Sequence, residues 1–170
     1  TALGVFVVES GVASGLSLSV AGATLATGSV VGIALRIVLG WVTDHRPMDH
    51  MRVVAGMLIL GAVGFVMLAV GESLFFIAGT LLAFGAGWGW LGLFNFAIVS
   101  QHPEAPTKAL GIALTGAAGG SAAGPLLFSA ILSSTSFGTA WLCAGLGTLL
   151  AAAFMLGGRW MIVRYSTSPS

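Results

Sequence analysis

Five long apolar segments, separated by short polar breaks, dominate the chain. Each contains at least the roughly 20 residues that a helix needs to cross a bilayer. Because backbone polar groups must be satisfied internally in lipid, this pattern predicts an all-α, polytopic transmembrane bundle. The predicted spans are residues 16–43, 52–71, 73–101, 107–133 and 138–162.

The two ends of the chain do not fit a full span. Residues 1–8 are apolar but too short to cross, so they are predicted to be the last two turns of a truncated helix. Residues 9–15 contain Glu, Ser and Gly and are predicted to form a loop. The chain is therefore interpreted as a fragment, in which residues 1–165 form the bundle and residues 166–170 a disordered cytoplasmic tail.

Composition supports the membrane assignment. The chain is 57% hydrophobic and 6% charged, whereas a soluble domain is about 25% charged. Its 26 glycines fit membrane helices, in which Gly allows close backbone approach. The single Cys143 excludes an internal disulfide, and a net charge of +1 gives no indication of nucleic acid as a partner.

Basic residues fall at alternate ends of the predicted spans, and the opposite loops contain none. The positive-inside rule places the basic ends in the cytoplasm, which predicts a multi-pass protein of the cell membrane with a cytoplasmic C-terminus. Trp41, Trp141 and Trp160 lie near span ends and are predicted to occupy the interfacial belts. The basic residues are Arg46, Arg52, Lys108, Arg159 and Arg164.

The residues that follow the first span resemble the G-x-x-x-D-[RK]-x-G-[RK] loop of the major facilitator superfamily. Gly40 and Asp44 match that loop. His45 stands at a usually basic position and Pro47 at a usual glycine, as in the more degenerate copy in the second half of these carriers. Two further stretches resemble the tenth and eleventh helices of the superfamily, namely residues 85–95 and 111–128.

This resemblance implies a secondary transporter built from two six-helix halves, which moves its substrate between them by alternating access. The chain would be the C-terminal half, from the end of the seventh helix to the twelfth. Its expected partners are the lipid bilayer, the missing N-terminal half of the same carrier and a small solute, and no cofactor is implied. A half alone is not expected to transport.

Arg36 is the only charged residue deep inside a predicted span. A charge near the bilayer centre costs roughly 3 kcal/mol on insertion scales, so it needs a reason. One reading is that Arg36 snorkels to the inner interface or pairs with Asp44. The other is that it faces a central cavity and binds an oxyanion, because guanidinium matches carboxylate geometry. Both remain open here, and the second makes a small organic anion the predicted substrate.

Three further residues are candidates for the same binding site. Asn95 and Thr115 fall at a depth similar to that of Arg36 in their own spans, and Trp90 is an aromatic residue away from the interfaces. Each has a structural alternative, since polar side chains also form interhelical hydrogen bonds and aromatic side chains also pack between helices.

Two sets of residues are candidates for conformational gating. Gly116, Gly120 and Gly124 recur every four residues, and this pattern mainly predicts close packing against another helix. Pro125 adds a kink, which could also serve in gating. The loop after the first span is the second candidate gate. Its Asp44 would cap neighbouring helix N-termini, where the helix dipole stabilises a carboxylate. Its residues are Gly40, Asp44 and Arg46.

Other functional classes find less support. Residues 87–92 match G-x-G-x-x-G, but a dinucleotide site needs a preceding strand in a βαβ unit. The charged residues 44–52 lack metal-ligand spacing, so no metal site is predicted. No nucleophile–base pair shares one depth, so an enzyme is not expected. The main alternative is a membrane anchor or assembly subunit whose glycine-rich faces bind partner helices.

Overall fold

Six helices make up almost all of the described chain. The computed structural model describes residues 2–45 and 48–166, and this part contains helices and short connections but no strand. The prediction of an all-α fold is therefore confirmed. The helices are α1 (Ala2–Ala13), α2 (Leu18–His45), α3 (His50–Val70), α4 (Ser73–Gln101), α5 (Pro106–Ser134) and α6 (Phe137–Ser166).

The five helices α2 to α6 are long and apolar enough to cross a membrane. The five predicted spans are thus confirmed as helices of spanning length. Ser166, assigned to the tail in the sequence analysis, ends α6, and residues 167–170 of that predicted tail lie outside the described residues.

Local signals explain where α3 begins and ends. The carboxylate of Asp49 accepts a hydrogen bond from the backbone N–H of Arg52 at 3.3 Å, which caps the first turn. Gly71 follows the last turn with φ of 76°, the left-handed conformation that glycine adopts without strain. The chain therefore turns within two residues and enters α4 at Ser73.

The predicted loop over residues 9–15 is wrong, because α1 continues to Ala13. Ser10 and Gly11 are buried against other helices, so these small residues serve packing and do not face solvent. A Cβ on Gly11 would lie 3.0 Å from Phe76 and 3.1 Å from Ala21. The connection to α2 is shorter than expected and turns at Gly15, whose φ is 89°.

Helix α3 packs on one side against α4 and on another against α6. Helix α2 packs against α4, while α1 contacts α2, α4 and α5. Successive spans alternate in direction, so α2 and α4 run parallel. In the most apolar stretch of each helix, the share of buried residues is 0% for α5, 11% for α2 and 50% for α4. Large apolar faces of α2 and α5 are thus left to lipid or to partner helices.

Glycines set the distance between α3 and α4. A Cβ on Gly61 would lie 2.6 Å from Cα of Gly87, and one on Gly64 would lie 2.9 Å from the carbonyl oxygen of Gly79. Real Cβ atoms do not approach backbone atoms so closely, so no other residue fits at Gly61 or Gly64 without a shift. The two helices meet backbone to backbone, as small residues permit in membranes.

The other end of the bundle has an aromatic core. The indole N–H of Trp141 in α6 donates to the hydroxyl of Ser10 in α1 at 2.8 Å, and both residues are fully buried. The ring of Trp141 lies 4.5 Å from that of Phe128 and 5.9 Å from that of Phe65. The prediction that Trp141 occupies an interfacial belt is therefore wrong. Its polar edge finds its partner inside the protein.

We expect Gly61→Ala to destabilise the protein by about 1–3 kcal/mol, the usual cost of overpacking a filled interface. The midpoint of thermal unfolding in detergent should fall accordingly. Gly56→Ala is the matched control, because nothing lies within 4 Å of a Cβ at that position of the same helix. Equal midpoints for the two variants would contradict the close α3–α4 contact.

The predicted orientation can be checked by cysteine labelling. In a Cys143→Ala background, a membrane-impermeant thiol reagent added outside intact cells should label Ser134→Cys at the end of α5. Met48→Cys, between α2 and α3, should react only after permeabilisation. Cys143 must be removed because its side chain is exposed. The reverse pattern of labelling would refute a cytoplasmic C-terminus.

Candidate functional site

A cleft lies between α2 and α4, over residues 36–43 of α2 and 89–96 of α4. Where α2 is closest, a Cβ on Gly28 would lie 3.0 Å from the ring of Phe84, and one on Gly32 would lie 3.0 Å from the Phe84 carbonyl oxygen. Two turns further on, nothing lies within 4 Å of a Cβ on Gly40. A space therefore remains between the parallel helices near their C-terminal ends, which the basic residues predict to be cytoplasmic, although Leu39 of α2 still packs against the buried cluster that contains Leu93.

The cleft has a volume of about 240 Å³ and is lined by two helix faces. Its α2 residues follow an i, i+4, i+7 spacing, which places them on one side of that helix. The lining residues are Arg36, Gly40 and Thr43 from α2, and Gly89, Gly92, Leu93 and Phe96 from α4.

The guanidinium of Arg36 lies at the narrow end of the cleft. Its Nη2 donates a hydrogen bond to the carbonyl oxygen of Trp88 at 2.8 Å. Trp88 is 15 residues from the start of α4 and 13 from its end, so this carbonyl is close to the middle of the helix. Gly32, one turn before Arg36, lies beside the carbonyl of Phe84, one turn before Trp88, so the guanidinium is roughly level with its own Cα. The side chain therefore reaches across to α4 and not along α2 toward the predicted cytoplasmic end.

Most of the hydrogen-bonding capacity of Arg36 remains unused. A guanidinium has five N–H donors, and among the described residues Arg36 makes one hydrogen bond and no ion pair. The alternative partner, Asp44, is in α2, but its side chain lies outside what the structure describes, as does Arg46. The side chain of Arg36 is exposed and lines the cleft.

The rest of the cleft wall is nearly apolar. Thr43 is the only other polar side chain among the lining residues, and its hydroxyl lies 2.9 Å from the carbonyl oxygens of Leu39 and Gly40. Its proton therefore goes to its own helix, which leaves oxygen lone pairs toward the cleft. Phe96 closes the α4 side and contacts the imidazole of His50, with ring centroids 5.1 Å apart.

Asn95 does not line this cleft with Arg36. At 100° per residue, its Cα is turned about 110° from the mean direction of the α4 lining residues. Its side-chain oxygen is buried and has no hydrogen-bond partner among the described residues. Asn95 also lies seven residues beyond Trp88 along α4, which corresponds to roughly 10 Å. Its assignment to a binding site stays a prediction.

Trp90 and Thr115 are also placed away from the cleft. The indole N–H of Trp90 donates to the carbonyl of Gly87 in its own helix at 2.8 Å, and its ring packs edge-on against Phe94. Both rings border the cluster of Val54, Leu58, Leu93 and Ala152. The hydroxyl of Thr115 donates to the carbonyl of Gly111 in α5, and its side chain is exposed.

The predicted gating residues of α5 lie in a continuous helix. Gly116 and Gly120 have no atom within 4 Å of a Cβ, so the close packing predicted for them is not made within the described chain. Close glycine packing occurs between α3 and α4 and between α2 and α4. Gly124 and Pro125 are half-buried, and Pro125 is accommodated inside α5.

Sequence reasoning found Arg36 and Gly40 but missed the α4 wall of the cleft. A signal was available in Gly92, which leaves room on the α4 face that carries Leu93 and Phe96. The hydrogen-bond acceptor at Trp88 is a backbone group and has no sequence signal.

An ion pair joins the α2–α3 connection to α6. The carboxylate of Asp49 lies 2.5 Å from Nε of Arg159 and 3.5 Å from Nε of Arg52. Partial burial raises the pKa of Asp49. Hydrogen bonds from Arg159 and from the Arg52 backbone N–H, together with both positive charges, outweigh this and hold the pKa below its usual value near 3.8. No group of three or more metal-binding side chains occurs in the described part of the chain.

Comparison with known proteins does not assign the chain to a family. No family profile, curated protein or solved structure matches it. The resemblance to the major facilitator superfamily therefore depends on the residues of the loop and helices quoted above.

We expect the Asp49–Arg159 pair to stabilise the protein by up to about 1 kcal/mol, as for other accessible ion pairs. A carboxyl with a lowered folded-state pKa contributes stability above its unfolded pKa and loses it as the pH falls. The thermal midpoint of Arg159→Gln should therefore lie below that of the wild type at neutral pH, and the gap should close below about pH 5.

Arg52→Gln is the control for this prediction, because Arg52 is more distant and 66% exposed. Its effect on the thermal midpoint should be smaller at every pH. A gap between wild type and Arg159→Gln that does not change between pH 7 and pH 3 would contradict the assignment to Asp49.

Proposed function

We propose that the chain is part of a secondary transporter resembling the major facilitator superfamily, and that it carries a small organic anion bound at Arg36. The observation that supports this proposal most strongly is the position of the Arg36 guanidinium. It lies at mid-depth of α4, is exposed in a cleft and has no acidic partner among the described side chains. A charge within an apolar span is costly unless an opposite charge joins it. A solute anion would supply that charge.

The shape of the cleft supports a role in alternating access. Helices α2 and α4 are in contact at Gly28 and Gly32, and the cleft lies beyond this contact. In the proposed cycle, α2 changes its tilt about this contact and closes the open end, while a contact with the other half of the carrier opens. Gly40, Asp44 and Arg46, at the end of α2, would hold one of the two states.

An assembly subunit is the alternative function, and the exposed face of α5 favours it. Open glycines at positions 111, 116, 119 and 120 leave that face ready for close approach by another helix. A carrier half needs such a face as well. The two functions are therefore distinguished at Arg36, which a purely structural subunit would not need in an open cleft.

The test is uptake of carboxylates by the full-length protein in proteoliposomes. Arg36→Gln should lower anion affinity by roughly 10- to 100-fold, the equivalent of the 1.5–3 kcal/mol of a charged hydrogen bond. Arg36→Lys should recover only part of it, because an ammonium group cannot form a bidentate pair.

Arg52→Gln is the matched control, since it removes an arginine outside the cleft and should leave uptake unchanged. Circular dichroism and thermal midpoints would establish that all three variants fold. Wild-type uptake by folded Arg36→Gln would refute the proposed function, and carboxylate-independent binding of a partner helix would then favour the assembly subunit.

A further inference from the structure

The charge content of the cleft limits the charge of its occupant. Among the lining residues that the structure describes, Arg36 is the only ionisable side chain. Beyond it the wall consists of glycines, Leu93, Phe96 and one threonine hydroxyl. A second carboxylate on the same solute would therefore lie against apolar groups without a cation, and burying an unpaired charge is strongly unfavourable. One cationic side chain in an otherwise uncharged wall fits an anion with one negative charge.

The volume of the cleft limits the size of the occupant. Sites for drug-sized ligands have volumes of roughly 300–1,000 Å³, whereas this cleft has about 240 Å³. At ≈ 30 Å³ per water molecule, it has room for roughly eight waters or a compact solute. With a carboxylate on Arg36, the remaining space extends toward Leu93 and Phe96, which suits a short hydrocarbon end.

Two glycines on opposite walls keep this space open. Nothing lies within 4 Å of a Cβ on Gly40 in α2 or on Gly92 in α4. Neither glycine is needed for close helix contact, unlike Gly89, whose Cβ would lie 2.7 Å from Cε of Met57. A methyl group at position 40 or 92 would therefore project into the cleft without displacing a neighbour.

We propose that the site takes a compact monocarboxylate and that Gly40 and Gly92 determine the longest chain it accepts. This inference depends on the proposed function, since it assumes that Arg36 binds the carboxylate. It assigns Gly40 a role in substrate selection, beyond the gating role that its place in the loop suggests.

The experiment measures affinity by ligand-dependent thermal shift of the full-length protein in phosphatidylcholine nanodiscs. The ligands are formate, acetate, propionate, butyrate, hexanoate and succinate. Wild type should bind the short monocarboxylates and bind succinate at least about 10-fold more weakly, because its second charge stays unpaired. Gly40→Ala and Gly92→Ala should keep formate affinity and lose about 10-fold or more for the longest accepted chain, as expected for one methyl group in a filled pocket.

Gly22→Ala is the matched control, because it adds a methyl group at an open position of α2 outside the cleft. Its chain-length profile should equal that of the wild type. If carboxylates bind through Arg36 but both cleft variants keep the wild-type profile, or succinate binds as tightly as its monocarboxylate counterparts, this inference fails and the proposed function stands.

Two other outcomes would overturn both this inference and the proposed function. If no carboxylate shifts the unfolding of the wild type, the cleft is not an anion site. If phosphatidylglycerol in the nanodisc stabilises the wild type but not Arg36→Gln, while soluble carboxylates have no effect, the occupant is a lipid phosphate. A solute site requires the carboxylate response in phosphatidylcholine alone and its loss in Arg36→Gln.

Discussion

The bundle depends on the direct approach of two helix backbones, α3 and α4. Hydrophobic burial does not drive helices together in lipid, because lipid tails are as apolar as the side chains. Contact at Gly61 and Gly87, and at Gly64 and Gly79, replaces it with dense van der Waals packing. This contact fixes the rotation of α4, so that its opposite side, including Gly85, faces α2. The geometry of the cleft follows from that rotation.

Hydropathy was sufficient to predict the helices that cross the membrane, because length and apolarity distinguish lipid from water. It could not predict that α1 continues through Glu9 to Ala13, since a polar residue buried against another helix resembles one in a loop. Ser10 shows the difficulty, because only the indole of Trp141, 131 positions away, makes its burial favourable. The same long-range contact explains why Trp141 is not at an interface.

Only part of the candidate site could be predicted from the sequence. Arg36 stood out because a charge in an apolar segment has a cost that sequence alone reveals. Residues at equal depth were then grouped with it, but depth says nothing about rotation. Asn95 is at the wrong angle on α4, while Gly92 and Phe96, which are on the right side, carry no unusual chemistry. Helix rotation is set by the α3–α4 contact, which needs the structure.

The two ends of the bundle differ in mechanical stiffness. Near the start of α6, the Trp141–Ser10 bond and the rings of Phe65 and Phe128 join the first helix to the last in a dry, interlocked layer. At the far end, the accessible pair of Asp49 and Arg159 and a smaller buried cluster join α3 and α6, and a cleft lies between α2 and α4. Thermal fluctuation should therefore concentrate in the last turns of α2, which would move relative to a more rigid opposite end.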